Sequence, residues 1–450
     1  MSDRFAAVTA AVRERIDPGP DEREALRAAV DEVVSRARDA VADLPVEADV
    51  LQVGSTARDT WISGDRDLDV FVRFPPDLDR EELEEYGLQV GHSVLPEGHE
   101  EYADHPYVKG SVDGFDVDLV PCYRLDEAAD IRSAVDRTPF HTRWLAESMD
   151  AVLSSEARLC KAFMKGVGVY GSDLRTRGFS GYLTELLVVE FGGFRPLVEA
   201  AADWHPPVRL DPGDTGSDAS FEDPLVVIDP TDPDRNVAAV LSPANLARFQ
   251  HHARRLLDDP SEALFEPSDP DPLDPASVRE HVRRRGTTPL ALRFPAPDVV
   301  EDQLYPQLRR TLSNLAGELD RRGFSVLRTD AFARESAVLL LELSVAELPA
   351  VERHEGPPVH VRDHATGFYE KYDDDADGPF VEGNRYVVER EREVTRAAEF
   401  AESDLLFDVG IGPDVERALR SDRAVLVGDE VADLADEFGV ELAAYFDPGP

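Results

Sequence analysis

The run Leu51-Gln52-Val53-Gly54-Ser55, followed after an eleven-residue gap by Asp67-Leu68-Asp69-Val70-Phe71, constrains this chain more than any other feature. A small-residue turn after an apolar strand brings backbone N–H groups and the Ser55 hydroxyl within reach of a phosphate. Two carboxylates at i and i+2 on a strand point to one face of its sheet. Such carboxylates repel each other unless a cation or an arginine lies between them. The pattern therefore predicts a strand–turn–strand unit that holds a nucleoside triphosphate through hard divalent cations, the chemistry of nucleotidyl transfer. A third acid follows on the apolar strand near 114–120, as Asp116 or Asp118. These two share a strand face, and periodicity leaves the choice between them open.

The flanking sequence fits a small mixed sheet with helices on it. Leu26, Val30, Val33, Val34, Ala37 and Val41 trace an apolar stripe along a helix over 21–45. Short strands are expected at 48–53, 68–74 and 114–120, with an acid-rich helix near 79–91 between the last two. From 126 to 200 the pattern turns helical. One helix covers 150–167, with Val152, Leu159, Ala162, Phe163 and Val167 inward, and Gly166, Gly168 and Gly171 end it. Ser180 can cap the next helix, whose run Leu183–Phe191 is apolar enough to be buried. Residues 211–224 read as a surface loop and 242–258 as a helix. The Asp- and Pro-rich stretch Asp258–Pro275 marks a boundary. Beyond it come a strand at Pro289–Phe294, a helix at 298–322, strands at 324–329 and 336–344, a strand at Phe380–Glu391, and helices near 412–421 and 429–438. The expected fold class is α+β with three domains: a catalytic palm over 1–140, a helical central domain over 141–260 and an α+β C-terminal domain over 261–450.

Charge bears on the environment. The chain has 92 acidic and 48 basic residues, a formal net charge of −44, and only four lysines: Lys109, Lys161, Lys165 and Lys371. Strong acidity with arginine favoured over lysine suggests a halophile, because at 1 M salt the Debye length is only ~3 Å and self-repulsion is damped. GC-rich codon usage rivals this explanation for the arginine bias, though not for the acidity. Acidity ordinarily argues against a nucleic-acid partner, but in a halophile the excess charge belongs to the solvated surface. Cys122 and Cys160 offer no disulfide framework and no metal-ligand spacing, and are expected as buried small hydrophobes. No run approaches a membrane span, and Met1-Ser2-Asp3-Arg4 does not open a secretion signal, so a cytoplasmic protein without membrane contact is expected. The run Asp373–Asp377 reads as a solvated turn rather than a calcium loop, and His251-His252 has no partner spacing.

The motifs together resemble the DNA polymerase β nucleotidyltransferase superfamily, and within it the archaeal (class I) CCA-adding tRNA nucleotidyltransferases. Gly54-Ser55-x-Ala57-Arg58-x-Thr60-Trp61, Val117-Asp118-Leu119-Val120-Pro121 and Thr138-Pro139-Phe140-His141 carry the likeness. So do the block from Cys160-Lys161-Ala162-Phe163-Met164-Lys165 through Tyr170 to Leu183, and Asp229-Pro230-x-Asp232-Pro233-x-Arg235-Asn236. Gly378–Gly383 is a weaker match. The family often has Glu where this chain has Asp67, a change that shortens one ligand by a methylene and keeps its charge.

The resemblance implies roles. Asp67, Asp69 and Asp118 are the catalytic metal ligands for two magnesium ions, which favours Asp118 over Asp116. Ser55, Arg58, His141, Lys161 and Tyr170 bind the triphosphate and ribose, and Arg235 helps to choose between C and A. The implied reaction adds or repairs the 3′-terminal CCA of tRNA from CTP and ATP. The C-terminal domain is expected to hold tRNA by shape and backbone contacts, and a homodimer is the expected assembly. A poly(A) polymerase or oligoadenylate synthetase would share the carboxylates and use ATP alone. An enzyme modifying antibiotics or proteins would not need the long C-terminal region. A non-catalytic tRNA-binding relative should have lost one of the three carboxylates, and none is missing.

Overall fold

In the computed structural model the described residues are 2–102, 104–374 and 378–450, so the run Asp373–Asp377 lies largely outside them. The chain divides into two compact units, Met1–Ser268 with Pro450, and Asp269–Gly449.

The first unit opens with helices α1 (Ser2–Ile16) and α2 (Pro20–Ala42), then strand β1 (Asp49–Val53) and the short helical turn α3 (Gly54–Ala57). Strand β2 (Asp67–Phe74), helix α4 (Arg80–Val94) and strands β3 (His99–Tyr102), β4 (Pro106–Val112) and β5 (Phe115–Tyr123) complete a five-stranded sheet in the order β1-β2-β5-β4-β3. Strands β2 and β5 are parallel and every other pairing is antiparallel. Parallel neighbours need a crossover connection; α4 and the β3–β4 hairpin supply it. One face of the sheet is apolar: Leu68, Val70, Val72, Val108, Val117 and Leu119 pack with Val33 and Ala37 of α2 and with Leu83, Val90 and Val94 of α4. The alternation that buries these residues turns Asp67, Asp69, Asp116 and Asp118 to the other face.

Helices α5 (Thr138–Ser148), α6 (Ala151–Gly166), α7 (Gly181–Phe191) and α8 (Phe194–Ala202) follow. A small sheet of β6 (Val208–Leu210), β7 (Leu225–Asp229) and β8 (Asp232–Asn236) precedes α9 (Pro243–Asp258). Their core gathers Leu159, Phe163, Phe179, Leu186, Phe194 and Phe249. Asp150 caps α6 by accepting hydrogen bonds from the N–H groups of Val152 and Leu153. One expectation is corrected here: Val152, in the first turn past that cap, is 66% exposed, not inward.

In the second unit, α10 (Pro275–Arg285), β9 (Thr288–Pro295), α11 (Glu301–Arg322), β10 (Ser325–Ala333) and β11 (Ser336–Val345) come first. A β12 (Val351–Pro358), α12 (Arg362–Tyr372), β13 (Phe380–Glu382), β14 (Arg385–Glu391) group carries its own three-stranded sheet. The expected strand Phe380–Glu391 is thus a hairpin, broken at Gly383, whose φ is 59°. Then α13 (Ala397–Glu402), α14 (Pro413–Ser421), β15 (Ala424–Val427) and α15 (Ala435–Phe446) end the chain. The main sheet runs β10-β11-β9-β15. Its strand β11 reads as a nearly unbroken apolar run because both faces are covered. Leu339 and Leu341 meet α11, while Val338 and Leu340 meet α10 and α15.

Candidate active site

Four acids face one another across the parallel pair. Asp67 is in register with Asp116, and Asp69 with Asp118. Beside them, β1 ends at Val53 and the chain turns through Gly54, at φ 74°. A Cβ built on Gly54 would fall 1.9 Å from Asp69 Oδ2, so any larger residue there must displace that carboxylate. The next residue, Ser55, opens onto the same cavity of about 350 Å³, with Arg58, Lys161 and Tyr170 further round its wall.

The acidic side carries unbalanced charge. Burial, then the charges of Asp118 and Asp67, push Asp69 up to about 6. Burial also raises Asp118, and Lys109 opposes that rise. Lys109 lies opposite Asp118 on β4, its Nζ 3.4 Å from Asp118 Oδ1. Among the described residues no three His, Cys, Asp or Glu side chains already close on a point as a metal-binding group. The fit to a hard cation therefore rests on charge and donor type. Two carboxyls raised by burial and then by neighbouring acids, and partly answered by a lysine, suit a divalent ion with oxygen ligands.

The opposite wall is cationic. Lys161, 6% exposed, and Lys165 project from α6 one turn apart. Their ammonium groups lie 3.6 Å from Asp65 Oδ2 and 2.9 Å from Asp65 Oδ1, respectively. Both also approach the Tyr170 ring, at 5.8 and 5.6 Å from its centroid. Burial lowers the Lys161 pKa against the pull of Asp65 and Glu185. Arg58 Nε donates to Glu185 Oε2 at 2.9 Å, and the Thr60 hydroxyl donates to Glu185 Oε1. Glu185 is buried on α7, so Arg58 is held by a partner from a distant segment.

Seven of the nine sequence-predicted residues line this cavity: Ser55, Arg58, Asp67, Asp69, Asp118, Lys161 and Tyr170. His141 and Arg235 are not among its lining; both contact Asp229, at the end of β7. His141 Nε2 is 2.9 Å from Asp229 Oδ2, and Arg235 Nη1 donates to the same oxygen at 2.8 Å. Tyr182 donates to Asp229 Oδ1 at 3.2 Å, and the Thr231 N–H and hydroxyl donate to it at 2.9 and 2.8 Å. The Tyr182 ring stacks on His141 at 3.8 Å. Burial raises the Asp229 pKa, but the bonds from His141 and Thr231 outweigh it and hold the carboxyl well below the usual range. The two groups are neighbours along the chain. Arg58 Nη1 lies 3.4 Å from Thr142 Oγ1, next to His141, and Gly181 of the cavity wall precedes Tyr182.

Comparison with known proteins covers the same architecture. Residues 34–141 match the nucleotidyltransferase domain, 155–266 the second domain of tRNA nucleotidyltransferase, and 285–428 the C-terminal domain of the CCA-adding enzyme. A CCA-adding enzyme of Haloarcula marismortui is 61% identical, with all of both chains covered. Its counterpart in Halorubrum lacusprofundi is 60% identical over the same full coverage. The chain belongs to the CCA-adding enzyme family. A more distant member, from Methanoregula boonei, is 43% identical over 99% of this chain and 96% of its own. The expected α+β nucleotidyltransferase fold and the assignment to archaeal CCA-adding nucleotidyltransferases are thereby borne out. The kinship with haloarchaeal enzymes accords with the acid-rich, lysine-poor composition.

Several polar residues around the site of this CCA-adding family member were not singled out from sequence. Asp65, Lys165 and Glu185 line the cavity, and Asp229 with Tyr182 organises the neighbouring group. Two signals were available. An acid inside the apolar run Leu183–Phe191 is out of place unless paired, and lysine is so scarce here that Lys109 and Lys165 merit the attention given to Lys161. The two cysteines are free and buried, and burial pushes both thiols up. Among the described residues no helix is long and apolar enough to cross a membrane.

Proposed function

We propose that this enzyme adds or repairs the 3′-terminal CCA of tRNA, consuming CTP and ATP and releasing pyrophosphate. The observation that carries the reading is the in-register Asp69–Asp118 pair beside Gly54-Ser55, facing a wall of Arg58, Lys161 and Lys165. Asp67, Asp69 and Asp118 are the residues that would hold two magnesium ions; Asp118 is preferred to Asp116 because it stands opposite Asp69 and is the less exposed of the two. When bound, magnesium neutralises the triphosphate and makes the RNA 3′-hydroxyl a better nucleophile. Ser55, Arg58, Lys161 and Tyr170 receive the phosphates and ribose. The attacking 3′-oxygen forms a bond to the α-phosphorus as the bond to pyrophosphate breaks.

His141 and Arg235 reach the nucleotide from the Asp229 side, where Arg235, 35% exposed at its side chain, has donors to spare for a base edge. Glu185 orients Arg58 and does not itself touch substrate. The domain division 1–140, 141–260 and 261–450 assigns catalysis, nucleotide enclosure and tRNA holding in turn. The working form is a cytoplasmic homodimer. The test supplies purified enzyme, in molar KCl with magnesium, with tRNAs lacking CCA, CA or A and each nucleoside triphosphate separately. Addition of C to the fully truncated tRNA, and of A only after two C residues, is expected. Failure to add C overturns the reading.

A further inference from the structure

Six acids line the catalytic cavity, and five have an evident reason to be there. Asp67, Asp69, Asp116 and Asp118 form the carboxylate face, and Glu185 is saturated by Arg58 and Thr60. Asp65 is the exception. It sits on the segment between α3 and β2, its side chain 20% exposed, and its two oxygens face Lys161 and Lys165. Its own ties to the backbone are slight: Oδ2 accepts from the Ile62 N–H at 3.4 Å. A carboxylate in that place opposes an entering triphosphate, because it holds the lysines the phosphates need. The composition sharpens the point. Lysine supplies four of 48 basic residues, yet Lys109, Lys161 and Lys165 all stand at this one site. A compact ammonium on a flexible stem turns three donors toward phosphate oxygens converging from several sides, whereas a guanidinium offers a rigid planar fork.

We propose that Asp65 is an internal stand-in for the triphosphate. Its two oxygens hold Lys161 and Lys165 in the nucleotide-free enzyme, and the incoming phosphates take over both ammonium groups. Lys165 is thereby a second phosphate-binding lysine of the site. The inference rests on the nucleotide site described above and adds to it a residue that exchanges one anion for another. A charge-assisted hydrogen bond from Lys165 and a longer ion pair from Lys161 are surrendered and two phosphate contacts regained, so the lysines stay neutralised throughout. The exchange also keeps two cations poised in a strongly acidic chain, where an unpaired lysine would find other carboxylates.

The experiment measures binding of CTP and of inorganic tripolyphosphate, with magnesium in molar KCl, by titration calorimetry of the full-length enzyme. Asp65→Asn keeps the shape and removes the competing charge, so both probes should bind tighter, by about threefold to tenfold. Lys165→Met should weaken both by about tenfold while the KM for tRNA stays unchanged. Lys165→Arg retains the charge and should recover only part of the loss. Thermal melting of each variant separates loss of ligand from loss of fold. If Asp65 merely props the lysines in place, Asp65→Asn will weaken both probes; that result, or no change, overturns the stand-in. A wild-type enzyme that binds neither probe overturns the nucleotide site and the stand-in together. Wild-type binding with an unaltered Lys165→Met overturns the stand-in alone.

Discussion

Asp69 and Asp229 are both shielded aspartates in the same unit, and their surroundings drive them in opposite directions. Asp229 accepts from His141, Tyr182, Thr231 and Arg235 and is held strongly ionised. Asp69 lies close against Gly54 and faces Asp67 and Asp118, and burial, then those two charges, push it up to about 6. A buried carboxylate that its own fold satisfies belongs to the scaffold. One that the fold leaves in conflict is waiting for a partner from outside. The difference teaches where this protein has set stability aside for binding.

The sharpest way to break the contrast is to neutralise each aspartate. Asp69→Asn should reduce CCA addition at least about a thousandfold, because a metal ligand is lost. The same substitution should raise the melting temperature of the metal-free protein, because a repulsive charge has gone. Full activity in Asp69→Asn would refute the metal assignment. Asp229→Asn should do the reverse to stability, costing about 3 kcal/mol in denaturant unfolding at constant salt, because Arg235 and His141 lose their common counter-charge. A neutral result would show that the Asp229 group is no more than a surface ion pair. Gly54→Ala should lower kcat by about a hundredfold through displacement of the Asp69 carboxylate, with little effect on tRNA affinity. Unchanged kcat would mean that Asp69 can move without penalty.

The smallest effect is a pH slope, and its sign differs between the two residues. Asp69, raised from 3.8 to about 6, contributes stability that is present below pH 3.8 and lost as pH climbs through 6 in metal-free enzyme. Asp229, depressed from 3.8, contributes stability that is present above that value and lost only as the solution is acidified below it. Melting curves of wild type and the two variants across this range should therefore diverge on opposite sides of pH 4. Saturating magnesium should erase the Asp69 limb and leave the Asp229 limb intact. Parallel curves for all three proteins would remove the basis of the comparison.

Sequence periodicity found what alternation encodes. The strands carrying Asp67, Asp69 and Asp118 were legible because Leu68, Val70, Val117 and Leu119 alternate with polar partners. The β3–β4 hairpin was not. His99-Glu100-Glu101-Tyr102 is a polar, largely exposed edge strand, and Gly110 and Ser111 interrupt the pattern of β4. In the second unit the strand Val351–Pro358 has exposed and half-buried positions that look like loop. Around the site, residues that form local motifs were found and residues that meet across the fold were missed. Glu185 acquires its meaning from Arg58, 127 positions earlier, and Asp65 from Lys165, 100 positions later. Neither pairing leaves a periodic trace. The resemblance to CCA-adding enzymes supplied the identity of the tRNA substrate, which no spacing of carboxylates contains.

The parallel register of β2 and β5 has one more consequence. Sliding either strand by a single residue would swing Leu68, Val70 and Val72 away from the layer beneath α2 and α4 and drive Asp67 and Asp69 into it. A misaligned chain is thus rejected by its own oil–water partition before it ever meets a nucleotide. Quality control of the chemistry is delegated to folding: a molecule with a sound interior has its acids correctly placed, and one with misplaced acids has no sound interior.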